Sequence, residues 1–289
     1  PLVLGRLDGH YILTSETCAL DIIGAEFIRE VENGEIVVIN NMGIESIKPF
    51  GFHKSRPCIF EYIYFARPDS SLNGLSVYEC RKKFGEQLAI ESPKPADVVI
   101  PVPDSGVPAA IGYAQKAGIP FELGIIRNHY VGRTFIEPQQ SIRAFSVRLK
   151  HNANKILVSG KKVVLIDDSL VRGTTSIKIV RMMRDAGAKE VHMRITSPPI
   201  KYPDYYGIDT PIKNDLLAAN RSIKEIEEFI GVDSIAFLTI DGLYKAMGYK
   251  NGRDPQNPAF TDHCFTGDYP TKLIDQDEDS SSFQLSLLS

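Results

Sequence analysis

Tryptophan is absent from this 289-residue chain, and cysteine is scarce. The four cysteines, Cys18, Cys58, Cys80 and Cys264, lie far apart without a C-x-x-C pair. A chain of this length needs no disulfides, so reduced thiols in a cytosol-like compartment are expected, with a plastid as the alternative. No apolar run approaches the ~18 residues of a membrane span, and no signal or transit pattern opens the chain. Positive charge is not in excess. With 33 Lys and Arg against 36 Asp and Glu, the formal net charge is −3, which excludes the basic stripe of a general nucleic-acid or anionic-membrane binder. Local basic clusters remain available for a small anion. An initiator methionine is also missing, and "PLVLGRLDGHYILTSET" opens mid-pattern, as expected of a processed or truncated chain.

What is present is an ordinary globular composition, 43% hydrophobic and 24% charged, enough for one large domain or one domain plus a fragment. Residues 1–48 read as β-rich, with an Asp8-Gly9 hairpin turn, a short helix near 22–31, and "EIVVIN" following the Asn33-Gly34 turn. From 58 onward, apolar runs read as strands ("CIFEYIYF", "DVVIPV", "FELGII", "KVVLID", "EVHMRI", "SIAFLTI") alternate with helix-period segments near 76–91, 106–118, 174–187, 213–219, 222–230 and 241–248. Such alternation predicts an α/β fold, a parallel sheet flanked by helices, with ligands at the carboxyl ends of the strands. The expected boundaries are 1–48, 49–250 and a partly flexible extension over 251–289, whose tail "DQDEDSSSFQLSLLS" is acidic and Ser-rich.

The informative stretch is "VVLIDDSLVRGTTS", residues 163–176. A buried strand ends in Asp167 and Asp168, and a helix with Ile179, Met183 and Ala186 on one stripe follows. The intervening turn offers backbone N–H groups, the hydroxyls of Ser169, Thr174, Thr175 and Ser176, and a helix N-terminus, which together suit a phosphate. Gly173 lets the backbone come close to it. The two acids belong elsewhere, on hydroxyls or on a hard cation such as Mg²⁺. A sugar phosphate satisfies both halves. An Asp-Asp pair alone would merely close a strand and cap a helix; the Ser, Arg, Gly and Thr that follow outweigh that reading.

This motif resembles the phosphoribosyl-pyrophosphate (PRPP) signature of type I phosphoribosyltransferases. The wider chain is similar to the glutamine PRPP amidotransferase (amidophosphoribosyltransferase) family. The stretches carrying the likeness are "SETCALDIIGAEFIREVENGEIVVI", "CIFEYIYFARPDS", "VIPVPDSGVPAAIGYA", "RNHYVGRTFIEP", "AGAKEVHMRITSPPIKYP" and "YYGIDTP", in family order from about residue 1 to 270. The resemblance implies a type I phosphoribosyltransferase fold preceded by a β-rich remnant of an N-terminal-nucleophile glutaminase domain. It also implies the first committed step of purine biosynthesis, in which ammonia displaces pyrophosphate from PRPP to give 5-phosphoribosylamine. By that likeness Ser169, Val171, Arg172, Gly173, Thr174, Thr175 and Ser176 hold the 5′-phosphate. Asp104, Ser105 and Gly106 belong to the pyrophosphate loop, and Ser105, Asp167 and Asp168 hold Mg²⁺. Arg127, Tyr130 and Arg133, in the basic stretch 127–150, join the two acids as catalytic groups on a loop that closes over PRPP. Purine nucleotides are the expected feedback inhibitors, and a homo-oligomer, dimer or tetramer, is the expected assembly.

Three departures matter. Most of the glutaminase half, with its leading cysteine nucleophile, is unmatched, so these residues alone are expected to use free ammonia rather than glutamine; none of the four cysteines leads the chain. Some members carry a [4Fe–4S] cluster; Cys58 and Cys264 match two of its cysteine positions, but Asp204 and Thr261 stand at the others. No iron–sulfur cluster is expected. Finally, Arg127 and His129 fall where many members have Lys and Arg; an arginine still binds pyrophosphate but does not shed a proton.

Overall fold

The computed structural model describes residues 1–51, 54–128, 151–208, 210 and 212–273. The β-rich start is present. Strands β1 (Val3–Leu7), β2 (His10–Thr14) and β3 (Glu26–Glu30) form an antiparallel sheet in the order β2-β1-β3. The Asp8-Gly9 hairpin forms, with Leu7 opposite His10 and both turn residues at positive φ, 50° and 83°, as a two-residue turn between twisted strands requires. A second hairpin joins β4 (Ile36–Asn40) to β5 (Gly43–Ile47). The helix expected near 22–31 lies earlier. Helix α1 runs Thr17–Ile23 and ends at Gly24, and the residues that follow join β1 as a strand.

A second correction concerns "CIFEYIYF". It is not a strand; Glu61–Phe65 form a turn of π-helix with Tyr62 and Ile63 buried. An apolar run this short fits a buried helical turn as well as a strand, and here Arg81 settles it. Its Nε and Nη2 donate to the Tyr62 and Ala66 carbonyls at 2.9 and 2.7 Å, groups a strand would have sent to a neighbour. After the small hairpin β6 (Ser71–Leu72) and β7 (Leu75–Ser76) comes α2 (Val77–Glu91), capped by the Ser76 hydroxyl.

The centre is a four-stranded parallel sheet, order β13-β12-β11-β8, built from β8 (Val98–Pro101), β11 (Lys162–Asp167), β12 (Glu190–Ile195) and β13 (Ser234–Phe237). "FELGII" does not join it as a full strand. Phe121 makes a single parallel bridge to Val99, and β9 (Ile125–Arg127) pairs antiparallel with β10 (His151–Ala153). Alternation along β11 splits the core in two. Val164 and Ile166 pack with α2 and α3 (Val107–Ala117), while Val163 and Leu165 pack with Ile179, Val180 and Met183 of α5 (Thr174–Asp185) and with Ile226 and Ile230 of α7 (Ile223–Ile230). Burial on both faces explains why β8 and β11 are nearly all apolar, and each such side chain contributes about 1.5–3 kcal/mol; β12 instead carries the buried His192 and Arg194. Short helices α4 (Lys155–Val158), α6 (Leu217–Asn220), α8 (Ile240–Ala246) and α9 (His263–Thr266) complete the chain. The helix expected over 213–219 is a 3-10 turn, Lys213–Asp215, followed by α6.

One close approach fixes the layer that carries the β8 loop. A Cβ on Gly85 of α2 would lie 1.8 Å from the Ala109 carbonyl of α3, and one on Gly112 of α3 would lie 2.0 Å from the Lys82 carbonyl. Only hydrogen fits at these two crossings, so the helices pack backbone to backbone.

Candidate active site

Two loops leave the carboxyl ends of adjacent parallel strands. The first, residues 102–106, follows β8; Val102 N donates to Ile166 O at 2.8 Å and Gly106 N to Val102 O at 3.0 Å. These bonds hold the first loop against the end of β11. The second, residues 168–173, follows β11 and feeds α5. Gly173 is the residue before that helix, at φ 76°, and no side chain caps the first turn. Its leading N–H groups are thus without a side-chain acceptor, the arrangement that makes a helix N-terminus an anion site. Thr174 and Thr175 are exposed beside them, while Ser176 is buried.

Asp167 ends β11 and Asp168 opens this loop, and both are buried. Asp167 Oδ1 accepts from Asp168 N at 3.0 Å. Burial pushes the Asp167 carboxyl well above the usual carboxylate range, and the Asp168 charge pushes it further. Asp168 is raised by burial too, but the Ser105 and Ser169 hydroxyls and the nearby Arg81 charge act against that rise. Ser105 and Asp168, from different strands, are therefore in contact. The Arg81 charge acts on Asp168, and its N–H groups are engaged with Tyr62 O and Ala66 O. Two desolvated acids with so little compensation fit a hard divalent ion or a pair of sugar hydroxyls. No group of three or more His, Cys, Asp or Glu among the described residues is arranged to hold a metal. An ion held by two carboxylates and the Ser105 hydroxyl would need substrate oxygens to fill its shell, which is how Mg²⁺ is commonly bound.

The remaining expected residues divide. Asp104 and Arg127 meet as an exposed ion pair between the first loop and β9, and the Pro103–Asp104 peptide is cis. Gly106 is buried against the end of β11. Val171 O accepts from Leu217 N at 2.8 Å, anchoring the loop to α6. Arg172 is drawn to Asp215, 3.0 Å away. Tyr130 and Arg133 lie outside the described residues. Sequence reasoning missed Arg81, hidden in "CRKKFG" beside two lysines, and Thr196, whose N and Oγ1 both reach Asp167 O at 3.0 and 3.3 Å and so fix the end of β11. A cavity of about 640 Å³ between the β-rich start and residues 55–62 is lined by neither loop.

The phosphoribosyl transferase domain family matches residues 83–196, which contain both loops and both acids. An amidophosphoribosyltransferase of Rhizobium etli is 59% identical over 100% of this chain and 59% of its own length. A chloroplastic amidophosphoribosyltransferase of Glycine max is 55% identical over 94% of this chain and 47% of its own length. Among solved structures, a Bacillus subtilis glutamine PRPP amidotransferase complexed with ADP and GMP superposes with a TM-score of 0.87 at 48% identity, covering 98% of this chain and 62% of that one. The chain spans about half to three-fifths of the relatives it matches. This chain is thus similar along nearly its whole length to part of the amidophosphoribosyltransferases, and its residues 83–196 match the phosphoribosyl transferase domain.

Proposed function

We propose that this chain transfers the 5-phosphoribosyl group of PRPP to ammonia, releasing pyrophosphate and forming 5-phosphoribosylamine in purine biosynthesis. The observation that carries the reading is the buried Asp167–Asp168 pair directly ahead of an uncapped helix N-terminus. In this reading the 169–176 turn binds the 5′-phosphate through its N–H groups and hydroxyls. Asp167 and Asp168 accept hydrogen bonds from the ribose hydroxyls and, with Ser105, hold Mg²⁺, which supplies charge neutralisation for the departing pyrophosphate. The carboxylates also favour the positive character that C1 acquires as the bond to pyrophosphate lengthens. Asp104, Ser105 and Gly106 receive pyrophosphate. Arg127, together with Tyr130 and Arg133, closes over the sugar and keeps water from it.

Burial pushes the Cys58, Cys80 and Cys264 thiols up, away from the thiolate a glutaminase nucleophile needs. The donor proposed for these residues is free ammonia. Residues 1–48 are proposed as glutaminase remnant, 49–250 as the transferase domain and 251–289 as an extension. Purine nucleotides are proposed as inhibitors because the turn that takes a sugar phosphate accepts a nucleotide phosphate equally, and the Bacillus subtilis relative was solved with ADP and GMP. A cytoplasmic homo-oligomer is the expected setting; relatives include bacterial and chloroplastic proteins. The test is pyrophosphate release from PRPP with Mg²⁺ and ammonium, compared with glutamine. Release with ammonium and none with glutamine supports the proposal. PRPP binding without turnover, or transfer to a nucleobase, overturns it.

A further inference from the structure

Four positions from distant segments converge where the C-terminal stretch crosses the core. Cys58 and Thr261 lie side by side in a parallel bridge, with Thr261 N donating to Pro57 O at 2.9 Å and Ile59 N to Thr261 O at 3.1 Å. Cys264 O accepts from Lys201 N and Tyr202 N. Asp204 is near enough to both thiols to raise each of them by its charge. These are the positions at which the family resemblance puts the cysteines of an iron–sulfur cluster in some members.

The donor set does not fit a cluster. Thr261 Oγ1 already donates to Arg56 O at 2.7 Å. Asp204 Oδ1 accepts from Tyr206, Gly207 and Ile208 N at 2.8, 2.9 and 3.0 Å. Its Oδ2 lies 2.7 Å from His263 Nε2, a close polar contact outside strict hydrogen-bonding alignment. Only Cys58 and Cys264 supply sulfur at these four positions. A cluster needs four thiolates.

What the same positions do instead is join three segments. Asp204 and His263 are 2% and 1% exposed. The His263 ring lies 4.9 Å from Tyr269 and meets Tyr206 edge-on at 5.1 Å. Tyr269 OH donates to Pro203 O at 2.8 Å, so the 203–208 turn is held from both sides. Nearby, the fully buried Asp262 accepts from Tyr244 OH at 2.6 Å and from Arg253 Nε at 2.7 Å, and Asp268 pairs with both Arg253 and Arg56. The Tyr244 and Arg56 contacts tie residues 253–269 to other parts of the chain, while those of Arg253 brace the segment internally.

We infer that the Asp204–His263 pair is a metal-free clasp that fastens residues 253–269 to the core, taking the place of a metal–sulfur cross-link at the same point. The inference rests on the family resemblance but not on the proposed reaction, so loss of one leaves the other standing. It is tested by metal analysis and by hydrogen exchange of the full chain, with and without chelator and in air. Iron and zinc should be far below one atom per chain, and exchange in 203–208 and 253–269 should not change on chelation or aeration. In His263→Gln, exchange in those two segments should accelerate on the order of a hundredfold, while β11 and β12 keep wild-type protection. Should that variant fail to fold, Asp204→Asn keeps the shape and the three backbone bonds and is read the same way. Stoichiometric iron or zinc, chelator-induced opening, unchanged exchange in the variants, or protection lost equally across the sheet would each overturn the clasp.

Discussion

Replacing Asp167 by Asn should make the ligand-free protein more stable at pH 8 while lowering turnover by at least about a hundredfold, the scale expected for removing a preorganised charged group. The Asp167 carboxyl is pushed well up, first by burial and then by the Asp168 charge, and only the Asp168 backbone N–H opposes this. A carboxyl raised on folding stabilises the protein below its unfolded value of about 3.9, and that contribution disappears as the pH rises through the folded value. At pH 8 the folded chain therefore holds a buried charge that the unfolded chain would give to water. At an effective dielectric of about 20, two carboxylates about 8 Å apart or closer repel by about 2 kcal/mol or more. Asparagine keeps the shape and the acceptor for Asp168 N–H while removing the charge. For a chain of this size that corresponds to a rise in Tm of roughly 4–8 °C. Scanning calorimetry without Mg²⁺ at pH 8 and at decreasing pH reads the difference, which should narrow as wild-type Asp167 takes up its proton. Adding Mg²⁺ and PRPP should stabilise the wild type more than the variant. A variant no more stable than wild type at pH 8, or a gap that widens on acidification, refutes the reasoning.

Other substitutions probe the frame around the site. Gly85→Ala forces a methyl to within 1.8 Å of the Ala109 carbonyl, and thermal unfolding should register a loss of about 3 kcal/mol or more as α2 and α3 separate. Gly173→Ala meets both a φ of 76° and Leu217 Cδ2 at 2.9 Å; a cost on the order of 1–2 kcal/mol should accompany weaker PRPP binding in calorimetric titration. Ser222→Ala removes the capping box that Ser222 and Glu225 build at the start of α7, and should lower stability by about 1 kcal/mol, read by denaturant unfolding.

The central sheet was legible because burial on both faces leaves β8 and β11 with near-continuous apolar runs, and β12 and β13 fall in the same alternation with helix-period segments. The turn after β11 was legible because an apolar run ending in two acids, followed by Gly173 and a helix-period segment, marks a strand-to-helix turn. "CIFEYIYF" was not, since nothing local distinguishes a buried π turn from a strand; the deciding contacts come from Arg81, fifteen or more residues away. The first helix was misplaced although Gly24 gave a stop signal, because "DIIGAEFIREV" keeps a helix-like period across it. Ser105 beside Asp168, and Asp204 beside His263, are contacts between segments distant in the chain. Periodicity carries no information about them.

The most direct measurement is a crystal structure of this chain with ribose 5-phosphate and Mg²⁺. The phosphate should sit among the N–H groups and hydroxyls of residues 169–176, with the sugar hydroxyls or the ion on Asp167 and Asp168. A sugar phosphate bound elsewhere, or one whose phosphate faces the two aspartates, would contradict the account.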